Sequence, residues 1–122
     1  MKPARYFVAS FAFFVIALCS FAADISGQWT ATFDSLAGQQ HYTYTFKVEG
    51  DKLTGTAKSA SGTVTIHDGS VKGDDVSFVE DLNFQGQKIA IKYTGKIQGD
   101  SIEFTRKVGN LATEDLVAKR AH

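Results

Sequence analysis

The 122-residue chain holds one cysteine, one proline and one tryptophan, and its thirteen Lys and Arg are cancelled by thirteen Asp and Glu. Each shortage excludes something. With only Cys19, no internal disulfide framework exists, and with only Pro3, nothing beyond the amino terminus interrupts a run of strands. A charge balance of zero leaves no basic field to hold nucleic acid or an anionic membrane surface. The three histidines, His41, His67 and His122, lie far apart in sequence. There is no HExxH, G-x-S-x-G, P-loop or cysteine cluster, so metalloprotease, serine hydrolase, nucleotide-binding and zinc chemistry lack their residues. What remains is 43% hydrophobic, 12% aromatic and 21% charged, the profile of one globular domain.

Lys2 and Arg5 precede an uncharged run from Tyr6 to Ala23 that ends in small residues just before Asp24. This pattern predicts a signal peptide over residues 1–22, with Ser20 and Ala22 at the small-residue positions of the cleavage site. The mature domain then spans residues 23–122, exported to a periplasm or the exterior. An uncleaved anchor is the alternative, because the run approaches the ~18 apolar residues that begin to span a bilayer. A lipid anchor on Cys19 fits poorly, since Leu18 stands where that signal needs a small residue. Removal of the leader also removes Cys19, leaving no thiol nucleophile, and it gives eleven basic against thirteen acidic residues. That balance predicts no nucleic-acid partner and, once the leader is gone, no membrane contact; it is silent on oligomeric state.

From Gly27 onward the pattern has period two, broken by Gly or Asp-Gly every eight to twelve residues, the mark of an all-β chain. Trp29, Ala31 and Phe33 share one phase; Tyr42, Tyr44, Phe46 and Val48 follow, then Leu53, Gly55 and Ala57. Val64 and Ile66, then Val71, suit a fourth strand that slips phase at an Asp68-Gly69 bulge. Four more strands run through Val76 to Phe84, Ile89 to Ile97, Ile102 to Val108, and Leu116 to Arg120. One apolar face per strand predicts an eight-stranded antiparallel up-and-down barrel, with a two-sheet sandwich as the alternative. Gly50-Asp51, Gly73-Asp74 and Gly99-Asp100 read as two-residue hairpins that gather at one tight end. Longer links over 34–40, 60–62, 85–88 and 109–113 would form the open end. The repeated Asp does not require calcium, because Asp after Gly is ordinary turn chemistry, and no metal or cofactor is expected.

Registers carry the functional reading. A two-residue turn at Gly99-Asp100 sets Tyr93 opposite Arg106, and a link over 85–88 with Phe84 opposite Ile89 sets Glu80 opposite Tyr93. Glu80, Tyr93 and Arg106 would then form one inward row, with Tyr44 and Tyr42 above it and Phe33 and Phe84 at the entrance. An arginine and a carboxylate inside a barrel are costly unless paired or wet. The row is therefore either a satisfied structural cluster or a site for a small polar or aromatic ligand.

Gly27-Gln28-Trp29 opening the first strand of such a meander, with Lys119-Arg120 closing the last, resembles the calycin superfamily of lipocalins, fatty-acid-binding proteins and avidins. The resemblance implies that Trp29 and Arg120 stack at the closed end as a structural contact. It also implies a small-molecule carrier. The chain departs from the pattern in having no disulfide, no helix before the last strand, no helical lid and no Trp-lined biotin site. Asp24 to Trp29 and the Gly-Asp hairpins also resemble small exported bacterial barrels, some linked with carbohydrate-active proteins. The reading is thus a non-enzymatic exported binding barrel. The alternatives are a surface interaction or carbohydrate-binding module, and an isomerase or cyclase with Glu80 as base.

Overall fold

The computed structural model describes residues 23 to 121; the expected leader lies outside them. Strands account for most of this region: β1 (Gly27–Ser35), β2 (Gly38–Glu49), β3 (Lys52–Ser59), β4 (Gly62–Thr65), β5 (His67–Lys72), β6 (Asp75–Phe84), β7 (Gln87–Gln98), β8 (Ser101–Val108) and β9 (Ala112–Arg120). All pair antiparallel, and β2 meets both β1 and β3, so the sheet has no end. The segments β4 and β5 both flank β3 and are two pieces of one strand. The result is a closed eight-stranded antiparallel barrel without helices.

The fourth strand breaks because its inward residues must skip a position. Ile66 sits between β4 and β5 and is buried, its N–H donating to the Gly55 carbonyl, while Asp68 takes a positive φ of 54°. That kink moves the inward phase from even residues to Val71, and the β5–β6 register shifts between His67 and Ser70.

The three Gly-Asp turns form as the sequence predicts. Glu49 faces Lys52, Lys72 faces Asp75 and Gln98 faces Ser101, with Gly50, Gly73 and Gly99 at φ of 65°, 57° and 63°. Glycine at the first turn position is what a hairpin twisted like its strands requires. Here the segment before β1 also meets the end of β9. Ile25 is buried beneath the strands and accepts the Trp29 indole N–H at 2.9 Å; the Arg120 guanidinium lies 4.5 Å from the centre of the Trp29 ring.

The opposite end is tighter than the expected long links imply. Ser35 faces Gly38, Ser59 faces Gly62 and Phe84 faces Gln87, so two residues close each of these turns. Ser35 Oγ accepts the Ala37 N–H and Ser59 Oγ accepts the Ser61 N–H, which holds both turns from within. The Phe84–Gln87 pairing corrects a register: Phe84 does not oppose Ile89, and Glu80 faces Ile91 while Phe78 faces Tyr93. Shortening the loop by two residues preserves the inward phase, so phase alone does not choose between the two loops. Gln85 and Gly86, both at positive φ (53° and 80°), form the tight turn that decides it.

Lower and middle levels of the interior are filled by rings. Phe78 stacks on Tyr93 at 4.3 Å, Phe104 meets both edge-on at 5.6 Å, and Tyr44 packs against Phe46, Phe78, Tyr93 and Phe104. Gly95 makes this possible, because a Cβ there would lie 2.5 Å from the Phe104 ring.

Candidate ligand-binding site

Four neighbouring strands, β6 to β9, and β2 across the barrel assemble the polar cluster. The β7–β8 register sets Tyr93 opposite Arg106, and the β8–β9 register sets Glu114 opposite Arg106 on its other side. Glu80 on β6 lies one inward step nearer the open end than a direct partner of Tyr93 would, and Tyr42 reaches the cluster from β2.

The hydrogen bonds form a closed circuit. Arg106 Nε donates to Tyr93 Oη at 2.9 Å and Arg106 Nη2 to Tyr42 Oη at 3.1 Å. Each tyrosine passes the bond on: Tyr93 Oη donates to Glu80 Oε1 at 2.8 Å, and Tyr42 Oη to Glu80 Oε2 at 2.9 Å. Two phenols thereby bridge a guanidinium and a carboxylate whose nearest atoms are 4.0 Å apart. Tyr44 and Tyr93 hydroxyls meet at 3.0 Å. Arg106 Nη1 donates to Glu114 Oε1 at 2.5 Å, and Glu114 Oε2 accepts the Leu36 N–H at 3.1 Å. The rings of Phe33, Tyr42 and Tyr93 surround the guanidinium at 5.2, 5.3 and 5.7 Å.

Burial sets the electrostatics. It pushes the Glu80 carboxyl above its ordinary range, while the hydrogen bonds from Tyr93 and Tyr42 and the Arg106 charge work against it. Burial pushes the Tyr42 hydroxyl up to about 12, with the Glu80 charge adding and Arg106 opposing. Tyr44 and Tyr93 are also raised, chiefly by burial. For Arg106 burial opposes the charge, but Tyr93, Tyr42 and the bond to Glu114 outweigh it and raise its affinity for protons. All three phenols are therefore neutral donors and Arg106 is a fixed cation.

Above this cluster the open end holds a cavity of 370 Å³. Arg106, Tyr42 and Glu114 reach its floor; Leu82, Ile89 and Val108 form much of its wall, and Leu36, Phe84 and Leu111 its rim. Larger concavities of 1050 and 730 Å³ lie on the outer faces of the sheet and involve side chains such as Thr32, Lys96 and Lys92, remote from the cluster.

The residues singled out in the sequence thus separate by depth. Arg106 and Tyr42 line the cavity, whereas Glu80, Tyr93 and Tyr44 lie beneath its floor. Phe33 is buried under the guanidinium rather than at an entrance, and Phe84 stands on the rim, 52% exposed. Trp29 and Arg120 lie together at the far end. Glu114 is the residue that sequence reasoning missed. It shares the even phase of Leu116, Ala118 and Arg120, so extending the last strand inward by one more step would have found it. Away from this cluster, His67 on the outer face contacts Asp68 at 2.9 Å and Asp81 at 3.0 Å, contacts that raise its pKa, Asp81 contributing most. No group of His, Cys, Asp and Glu suited to a metal occurs among the described residues.

No family model, curated protein or solved structure matches this chain. The barrel is compatible with a calycin-like fold.

Proposed function

We propose that this protein is an exported, lipocalin-like barrel that binds one small polar or aromatic molecule at its open end. The observation that carries this reading is the cavity's composition: apolar walls above a rigid polar floor, the combination that small-molecule sites use for affinity and orientation. Arg106 Nη1 and Nη2 each spend one N–H on the protein, and each has a second to offer a ligand acceptor. The calycin resemblance supports the same reading, since that superfamily uses its open end for ligands. Binding rather than catalysis is favoured because Glu80, the only candidate base in the row, lies below the floor and accepts two phenolic hydroxyls.

Native mass spectrometry of the protein expressed from the full chain tests this, with the mass after denaturation as reference. Arg106→Ala is a poor probe by itself, because leaving Glu80 and Glu114 without their cation costs about 3–5 kcal/mol of stability. Ser61→Trp is better: Ser61 is exposed on a turn beside the cavity, and a large side chain there obstructs the mouth without entering the core. The expected result is a non-covalent mass excess that vanishes on denaturation and falls sharply in Ser61→Trp. A folded wild-type protein that carries no excess, and that takes up none from a panel of small aromatic and polar compounds, would exclude the proposal.

A further inference from the structure

Four large apolar side chains are exposed among the described residues, and three of them, Leu36, Phe84 and Leu111, ring the open end. They stand on or beside three different turns, at 68%, 52% and 60% exposure. The opposite end carries Gly-Asp turns. This segregation is not what scattered surface hydrophobes produce, and a clustered apolar rim marks a contact surface.

The outer face beside that rim is basic. Lys92 on β7 lies directly opposite Lys107 on β8, and among the described residues neither is within salt-bridge distance of a carboxylate. Like charges facing each other across a ladder destabilise a sheet. Lys88 lies nearby, 3.5 Å from Asp81. These three lysines share one outer groove with Phe84 and Leu111, the same two residues that border the mouth cavity. The molecule therefore presents, at one corner, apolar tips projecting past the unpaired Lys92 and Lys107 and past Lys88, which Asp81 partners.

We propose that the open end docks on an anionic lipid surface, with Phe84, Leu111 and Leu36 entering the interfacial layer and Lys92, Lys107 and Lys88 meeting the headgroups. Apolar burial and attraction to anionic lipid act together in such contacts, and each lysine held near the surface adds to the attraction. The even charge balance of the whole chain does not oppose this, because Lys92 and Lys107 lie side by side and, among the described residues, have no carboxylate within salt-bridge distance. Docking in this orientation sets the cavity mouth against the bilayer, but the docking itself does not depend on the cavity holding a ligand.

Co-sedimentation with vesicles tests the proposal, comparing phosphatidylcholine alone with an equal mixture of phosphatidylcholine and phosphatidylglycerol. The sample is protein expressed from the full chain, its amino terminus read by mass so that all variants share it. The expected result is binding to the mixed vesicles that weakens with added salt. Lys92→Glu with Lys107→Glu should lower partitioning about tenfold, and Phe84→Asp with Leu111→Asp should abolish it. All four positions face solvent, and an unchanged Trp29 emission maximum confirms that each variant is folded. Wild-type protein that stays in solution with the mixed vesicles overturns the proposal, as does binding indifferent to both double variants. A lipid-free dimer dissolved by Phe84→Asp with Leu111→Asp, without vesicle binding, would assign the rim to a second copy of the chain instead.

Discussion

Glu80 is held by two hydroxyl donors and faces one guanidinium from a distance, yet burial still dominates its ionisation. Its carboxyl therefore keeps its proton more tightly in the folded barrel than in the unfolded chain. Between the two pKa values the native state binds more protons, so stability falls as pH rises. The contribution is fully present below the unfolded carboxylate's pKa and is lost as pH climbs through the raised native one. We expect the urea midpoint of the wild-type protein to fall across that window, and Glu80→Gln, which cannot ionise, to flatten it. If the difference between the two proteins is the same on both sides of the window, burial does not govern this group. The identity of the buried polar residues was readable from phase alone: Glu80, Tyr93 and Arg106 all fall on inward positions. Their grouping around Tyr42 was not, because which inward residue meets which depends on ring size and tilt across the barrel. Glu114 was readable in principle, but a single acidic residue at the start of a strand has no local feature to separate it from a solvated turn.

At the scale of the element, the β6–β7 hairpin shows what period-two patterning leaves open. Every apolar residue from Val76 to Phe84 and from Ile89 to Ile97 keeps its phase whether the loop has two residues or four. Only the turn chemistry decides, and Gln85-Gly86 is a weak version of the Asn-Gly pair that such turns favour. Gln85 pays for this with a left-handed backbone that a non-glycine residue adopts at a cost of about 1–2 kcal/mol, one that asparagine tolerates better. Gln85→Asn should therefore stabilise the protein by about 0.5 kcal/mol in urea denaturation. No gain, or a loss, would indicate that Gln85 is not at a left-handed position and would reopen the longer loop. The same reasoning explains the fourth strand. Asp68-Gly69 announced the irregularity, and the β5–β6 register shifts there, between His67 and Ser70, with Asp68 at a φ of 54°; Ile66, just before it, stays buried with its N–H on the Gly55 carbonyl.

Closure of the whole molecule rests on its least extensive seam. Strands β1 and β9 pair at only two positions, Trp29 with Arg120 and Thr30 with Lys119, whereas β7 and β8 pair over eight. Arg120 reinforces this seam from outside the ladder. It covers the Trp29 ring and donates to the Ser26 carbonyl at 3.1 Å, the Asp24 carbonyl at 3.3 Å and Asp100 Oδ1 at 3.3 Å. It thereby ties the segment before β1 to the end of β9 and to the β7–β8 turn. The seam joins the first strand to the last, so its contacts span the full length of the domain and bear the largest loop-closure entropy. That combination makes it the place where the barrel opens first. In Arg120→Ala, amide exchange should accelerate at Thr30 and Ala121, whose N–H donates to the Gln28 carbonyl, while the β7–β8 amides stay close to wild type. Arg120→Lys keeps the charge over the indole but loses the guanidinium fork, and should fall between the two. Acceleration spread evenly over all strands would instead mean that the seam opens only with global unfolding, and that the cation over Trp29 supports the barrel as one cooperative unit.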